Sequence, residues 1–345
     1  MPKLGAAGSL RAMPQQPLDR RSLLAGVGAL AASCSSAGAR AGERVRIAFG
    51  SCADERKFPE LEIFTRIRER RPRDLVLLGD TPYIDSLDVD VRRARYAAFF
   101  EHPQVAATLA QCALHVTWDD HDYAVNDAFG AVAGREGARA TFVERHGAGP
   151  WGEHGQGIYT SFRRGEVEVF LLDTRWFADC EVSPFDAARK TLLGAQQWAW
   201  LQRGLERSTA RFKVLASGMI WNDAVRPAKL DYWGHWPHER EALFDWIAER
   251  GVRGVVLVGG DIHRTRVVQH AAPAALGYDL VELITSPLAN SVIAAAAAPH
   301  PGLRFDAGVE QSALLLEHDP QNPERLRCEF FDQRGVLLHR ETLRV

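Results

Sequence analysis

Four short segments carry side chains that bind metal ions, and each of them follows an apolar run. VRIAFGSC delivers Cys52, and DLVLLGDTPY delivers Asp80 and, three residues on, Tyr83. HVTWDDHD delivers Asp119, Asp120, His121 and Asp122, and VVLVGGDIH delivers Asp261 and His263. Thiolate, phenolate and imidazole suit a transition metal, and thiolate together with phenolate points to ferric iron over zinc. The remaining carboxylates, with Asn126 nearby as a carbonyl donor, form an oxygen-only set that suits a hard divalent cation: calcium, magnesium or manganese. Asp80 stands between the two sets and is placed to bridge them. The carboxylates at 119, 120 and 122 repel one another unless a cation holds them.

Two metal ions about 3.5 to 4 Å apart are the arrangement used in phosphoester hydrolysis, where one activates water and both stabilise charge on the phosphoryl oxygens. His121, Asp122 and Arg175, the last in LLDTRW, are the acid, base and phosphoryl-contacting candidates beside such a pair. His121 has an alternative role as the residue that orients the 119–122 loop. For Arg175 the alternative is a salt bridge to Asp173 or another core carboxylate.

These segments need strands to position them. Leu75–Leu78 is short, apolar on every side and closed by Gly79, which reads as a buried strand of a parallel or mixed sheet. The same reasoning predicts strands at Val45–Phe49, Ala113–Trp118, Val167–Leu172, Phe212–Ala216, Gly254–Val258, Leu280–Thr285 and Ala313–Glu317. Leu326–Phe331 and Val336–Leu343, joined by Asp332–Gly335, read as a hairpin. Amphipathic spacing predicts helices at Glu60–Arg70, Ala195–Arg207 and Glu239–Arg250. The alternation implies an α/β fold of two packed sheets with helices outside. In open α/β sheets the carboxyl ends of the strands share one ligand-binding edge, so the four segments should converge there.

Length and composition agree with one large α/β domain. The chain has 345 residues, 46% hydrophobic and 25% charged, with a formal net charge of -2. That balance, with no block of like charge, offers no nucleic-acid-binding surface and makes a small phosphoester the expected partner. The first 39 residues differ. Arg20-Arg21 precede twelve weakly apolar residues and then SCSSAGA, the pattern of a twin-arginine export signal. Twelve residues are too few to span a bilayer as a helix. The expected organisation is therefore an export signal over 1–39 and a single domain over 40–345, giving a periplasmic or extracellular protein, with lipidation at Cys34 as an alternative to cleavage. Five scattered cysteines are too few for a disulfide framework, and nothing in the spacing favours a Cys112–Cys180 bridge.

The ordered set FGSC, GDTPY, WDDHDY with Asn126-Asp127, LLDTRW, LLGAQQWAWLQRGL, DYWGHWPHER and GGDIH resembles the PhoD-like alkaline phosphatases of the calcineurin-type metallophosphoesterase superfamily. The resemblance runs from residue 49 to 263. It implies a four-layer αββα sandwich, a ferric (Fe3+) site of Cys52, Asp80, Tyr83 and His263, and a second site of Asp80, Asp120 and Asp261, often calcium. In the same pattern His121 is the transition-state histidine. Many relatives carry a β-rich N-terminal domain, whereas here the signal runs almost directly into FGSC.

The expected function is an exported two-metal phosphoesterase acting on mono- or diesters. The alternatives are a phospholipase D-like phosphodiesterase and a non-catalytic exported protein that binds metal or phosphate. Trp221–Asp223 and Asp231–Arg240, with Trp233, His235, Trp236 and His238, are expected to overhang the site or to pack as a surface loop. A wide aromatic rim would suit diesters, and a narrow cationic one monoesters.

Overall fold

Apolar runs that must be buried on both faces form the centre of each sheet in the computed structural model, which describes residues 43–345. The first sheet contains β1 (Val45–Gly50), β2 (Asp74–Leu78), β3 (Ala113–Thr117), β11 (Ser312–His318), β12 (Arg325–Asp332) and β13 (Leu337–Arg344), in the order β13-β12-β11-β1-β2-β3. The second contains β4 (Thr160–Arg164), β5 (Val167–Leu171), β6 (Phe212–Ala216), β7 (Val255–Gly259), β8 (Thr265–Gln269), β9 (Val281–Ile284) and β10 (Leu303–Ala307), in the order β10-β8-β9-β7-β6-β5-β4. β1, β2 and β3 run parallel, as do β5, β6, β7 and β9, while the flanking strands are antiparallel.

Ile47, Phe49, Val76 and Leu78 of the first sheet meet Val169, Val214, Val258 and Leu283 of the second in one apolar layer. The outer face of the first sheet is covered by α1 (Glu62–Glu69), α2 (Val89–Phe100), α3 (Pro103–Leu109) and α5 (Arg135–His146), which bring Phe64, Phe99, Val105 and Phe142 onto Leu75, Leu77 and Val116. The second sheet is covered by α6 (Gly194–Arg207) and α7 (Pro237–Glu249), whose Trp198, Leu201, Leu243 and Ile247 pack on Phe170, Leu215 and Leu257. Helix, sheet, sheet, helix is the four-layer sandwich expected from the sequence. α4 (Asp120–Tyr123) is a single turn at the site edge.

The expected strands and helices are all present, with ends shifted by up to two residues. β4, β8 and β10 are additional, as are α2, α3, α4 and α5. β4 and β10 are edge strands with half-exposed, partly charged faces, TSFRR and LRFDA, so no apolar run marks them. In α2 the inward stripe includes Arg92, fully buried and bonded to the Asp122 carbonyl at 2.7 Å and to Thr141 Oγ1 at 2.7 Å. A charge in that stripe breaks the apolar period. The Asp332–Gly335 turn forms as expected: Asp332 Oδ1 accepts from the amides of Arg334 and Val336, each at 2.9 Å, and Gly335 takes φ 81°.

The arginine pair, the signal segment and Cys34 lie outside the described residues. Cys112 and Cys180 are free thiols, as are Cys52 and Cys328. Among the described residues no helix is long and apolar enough to cross a membrane.

Candidate metal centre

β1, β2 and β3 are parallel neighbours, so their carboxyl ends lie side by side, and the sheet-to-sheet packing brings the carboxyl ends of β7 and β9 against them. Leu288 and Ala289 donate to the carbonyls of Ser51 and Cys52 at 2.6 and 3.1 Å, and Thr285 Oγ1 donates to the Phe49 carbonyl at 3.2 Å. As the chain leaves these strands, four candidate ligands enter the left-handed backbone region: Cys52 (φ 58°), Asp80 (φ 53°), Asp261 (φ 64°) and His263 (φ 54°). Few non-glycine residues adopt it, and such positions cluster at functional sites. Gly79 (φ 97°) has no room for a side chain, since a Cβ there would lie 2.2 Å from the Asp119 amide nitrogen.

On one side, Cys52, Asp80 and His263 each present a ligand atom within 4.8 Å of the other two. Cys52 Sγ is 3.5 Å from Asp80 Oδ2 and accepts from Ser286 Oγ at 3.2 Å. Tyr83 Oη is 2.7 Å from His263 Nε2. The other ring nitrogen, Nδ1, lies 2.6 Å from the Ser291 carbonyl, which can only accept, so Nδ1 carries the proton and Nε2 the lone pair. Burial pushes His263 down to about 4, which keeps the ring neutral. Burial, then Asp80, pushes the Cys52 thiol and the Tyr83 phenol well above their ordinary values. Thiolate and phenolate can persist there only beside a cation.

On the other side, Asp119, Asp120 and Asp261 offer one oxygen each within 4.8 Å, and Asp80, Asp120 and His121 form an adjoining set. Asp80 thus belongs to both sides. Burial and then Asp120 push its carboxyl well up, and burial raises Asp261 to about 6 against the pull of Lys229. Asp120 is lowered instead: burial raises it, but Arg175, His121, Lys229 and the Asp127 amide together outweigh that. Asp119 Oδ2, Asp231 Oδ1 and Asp261 Oδ2 are buried without a hydrogen-bond partner. The last two lie against the Lys229 ammonium at 2.8 Å, while Asp119 Oδ2 has no hydrogen-bond partner; a buried carboxylate oxygen in that state is costly and suits a cation, so the residues fit a metal pair.

Asp80, Tyr83, Asp120, His121, Asp261 and His263 line one cleft of about 360 Å³, with Asn126 on its wall. Cys52 is fully buried beneath it. His121 Nδ1 is 2.5 Å from Asp85 Oδ1, which fixes the ring; burial lowers its pKa, but Asp85 and then Asp120 lift it above the ordinary value. Asp122 turns away from the cleft, accepting from the amides of Asp119 and Asp80 at 2.6 and 3.2 Å, so it shapes the turn.

Two expectations are corrected. Arg175 does not reach the cleft. It is 0% exposed, with Nε 2.6 Å from Asp119 Oδ1 and Nη1 2.9 Å from Asp231 Oδ2, so its guanidinium is spent on core carboxylates and cannot contact a phosphoryl group. The salt-bridge alternative holds, with Asp119 and Asp231 as partners; Asp173 instead receives the amides of Arg175 and Trp176 and the Trp118 indole. Asp119, with Oδ1 given to Arg175, is a ligand candidate through Oδ2 alone. Nor do the tryptophans overhang the site: Trp233 is fully buried and stacks on Trp221 at 4.0 Å, and Trp236 donates to Asp179 at 2.9 Å. The cleft is bordered by Arg56, Lys57 and Arg226.

Sequence reasoning passed over Lys229, Asp85, Ser286 and Ser291, and took Asp231 only as the start of the aromatic Asp231–Arg240 stretch. Lys229 and Asp231 occur in RPAKLDYW, a loop with no periodicity, and a lone lysine there has no local signal.

The profile of the family described as PhoD-like phosphatase matches residues 47–338. Alkaline phosphatase D of Bacillus subtilis (strain 168) is 30% identical over 203 residues, 50% of this chain and 34% of that protein, so the matched region spans about a third of the relative's length. A solved structure of PhoD superposes with a TM-score of 0.69 at 19% identity, covering 89% of this chain and 74% of that one. Purple acid phosphatase PPD1 from yellow lupin (Lupinus luteus) seeds gives 0.66 at 10% identity, covering 88% and 54%. A dimetal phosphatase from Danio rerio gives 0.51 at 12% identity, covering 87% and 98%. At such identities these likenesses concern the fold.

Proposed function

The chain belongs to the PhoD-like phosphatase family, and on that premise we propose that it is an exported phosphoric ester hydrolase with two metal ions, acting on small phosphomonoesters. The observation that supports it is the place of Asp80 between a thiol, phenol and imidazole set and Asp120 with His121, whose Asp120 in turn belongs to the carboxylate set of Asp119 and Asp261. Cys52, Asp80, Tyr83 and His263 would hold ferric iron, and Asp80, Asp120 and Asp261, joined by Asp119, would hold a hard divalent ion such as calcium. The chemistry such ions supply when bound is polarisation of the phosphoryl oxygens and acidification of a water.

The chain's own residues do the rest. His121, steered by Asp85, presents Nε2 to the cleft and stabilises charge that develops on the phosphoryl oxygens. Arg56, Lys57 and Arg226 place three cations on the rim. Each leans on a neighbour, Asp54 at 2.7 Å, Asn290 at 2.5 Å and Asp127 at 3.1 Å, so each is held in place. Ile262, Ile293 and Ala296 supply a short apolar wall for the alcohol part of the ester. A dianionic monoester gains more from this rim than a monoanionic diester, and the cleft volume lies at the small end for ligand sites. Export rests on Arg20-Arg21 and the segment that follows them.

Metal content and hydrolysis of matched aryl phosphate mono- and diesters, measured on one preparation, test the reading. Turnover favouring the monoester, lost on chelation and restored by metal, is expected. Metal binding without turnover on either ester would reduce the protein to a binder, and preference for the diester would remove the role given to the rim.

A further inference from the structure

Two buried cations lie among the acids of the second set, and they are placed differently. Arg175 sits behind the cleft, whereas Lys229 reaches it. The Lys229 side chain is 4% exposed, and its Nζ is 3.0 Å from Asp261 Oδ1, 2.8 Å from Asp261 Oδ2 and 2.8 Å from Asp231 Oδ1. The contact to Asp261 Oδ1 is a hydrogen bond, and those to Asp261 Oδ2 and Asp231 Oδ1 are ion pairs. Three carboxylate oxygens gathered this closely around one ammonium are held by charge, as oxygens are around a metal ion.

The same carboxylates compose the second cation site. Asp119, Asp120 and Asp261 converge within 4.8 Å, and the buried Asp119 Oδ2 also lacks a partner. Asp119, Asp120, Asp231 and Asp261, with the shared Asp80, outnumber the buried cations Arg175 and Lys229 among them, which leaves negative charge for a divalent ion to offset. An ion held by Asp261 would share that carboxylate with the ammonium that already grips both of its oxygens.

We propose that Lys229 is an internal competitor for the second cation. The ammonium and the divalent ion draw on the same Asp261 carboxylate, so Lys229 holds the acids together when the ion leaves and weakens the ion's binding when it returns. The ion at Cys52, Asp80, Tyr83 and His263, none of which pairs with Lys229, stays tightly held, and the second becomes the exchangeable one. This rests on reading Asp119, Asp120 and Asp261 as a cation site, and its readout is metal affinity, so it stands or falls separately from phosphoester turnover.

The test is calorimetric titration of Mn2+, and separately Ca2+, into the full holoprotein stripped only of its weakly held ion, with metal content measured by mass spectrometry. Wild type is compared with Lys229→Met, Lys229→Gln and the charge-keeping Lys229→Arg. The tightly held ion should remain at wild-type stoichiometry in all of them. Removing a unit charge beside a divalent ion should tighten the second site by about tenfold or more in Lys229→Met and Lys229→Gln, and Lys229→Arg should stay near wild type. Second-ion affinity that is unchanged or weaker in the neutral variants overturns the proposal and makes Lys229 a positioning residue for Asp261. Should Lys229→Met fail to fold, Lys229→Gln decides by the same criterion; should neither fold, Lys229→Arg binding the second ion as wild type does supports competition through charge, and altered binding there overturns it.

Discussion

Tyr83 Oη lies 2.7 Å from His263 Nε2, the one ring nitrogen left with a lone pair once Nδ1 faces the Ser291 carbonyl. A phenol and an imidazole that meet over Cys52 and Asp80 define the part of the site suited to ferric iron. The iron-loaded protein should therefore be coloured by phenolate-to-iron charge transfer. Tyr83→Phe should lose that visible band while Cys52, Asp80 and His263 keep the iron. A colourless, fully active zinc protein, or a band that survives in Tyr83→Phe, would remove iron from this site.

Asp80→Asn tests the bridging carboxylate with little disturbance to the backbone. Asp80 has φ 53°, a conformation that asparagine adopts more readily than most residues. The change therefore removes charge and leaves the turn intact. Steady-state kinetics should show a loss of several orders of magnitude, with the second ion released first, because both sets depend on this residue. Near-normal turnover would end the two-metal reading.

His121→Ala separates phosphoryl contact from metal holding. The ring lines the cleft and its Nδ1 is tied to Asp85 at 2.5 Å. Loss of one such donor typically costs about 10² to 10³ in rate. The variant should keep both metals and lose kcat by that factor, and Asp85→Asn, which frees the ring, should fall between the variant and wild type. Metal lost together with activity would make His121 a ligand.

Much of this site is legible in the sequence because parallel strands place chemistry at fixed offsets from apolar runs. Leu75–Leu78 announces Asp80, and Val255–Val258 announces Asp261 and His263, since a strand buried on both faces has only its end free for function. What is not legible is carried by long-range pairing of charges in loops and edges. Nothing near Arg175 shows that it faces Asp119 and Asp231 in place of substrate, because burial is a property of the packed second sheet. Arg92 conceals α2 for the same reason: its guanidinium is satisfied by the Ser86 carbonyl just before the helix and by the Asp122 carbonyl and Thr141, both distant in sequence. The tryptophans of DYWGHWPHER look like a rim until Trp233 is seen stacked on Trp221 in the layer beneath α7.

Arg175→Met should damage stability more than any rim substitution. It leaves Asp119 and Asp231, each within 1% of complete burial, without their shared guanidinium. Breaking a buried pair by removing one partner costs about 3 to 5 kcal/mol. Urea midpoints should fall accordingly, and added divalent ion should recover part of the loss by supplying charge to the same carboxylates. Arg226→Met at the half-exposed rim should change stability by less than about 1 kcal/mol, with its effect confined to KM.

The last prediction concerns acid stability. His146 ends α5 with its ring against Phe142 at 4.6 Å, Phe100 at 5.4 Å and Tyr96 at 5.6 Å. Desolvation, then the neighbouring Arg145, pushes its pKa down to about 3. In the unfolded chain the ring titrates near 6.5, so between these values the unfolded state binds a proton that the native state does not. Stability contributed by the neutral ring is complete above pH 6.5 and is lost as pH falls toward 3. One pKa unit corresponds to about 1.4 kcal/mol. Because the residue keeps some exposure to solvent, a loss of about 1 to 2 kcal/mol by pH 5 is the expected size. His146→Phe keeps an aromatic ring and cannot take up the proton. Its urea-derived stability should fall less steeply than wild type between pH 6.5 and 4.5 and run parallel to it above pH 7.5. Equal slopes through the acid range would show that the His146 ring is protonated as readily in the fold as in water.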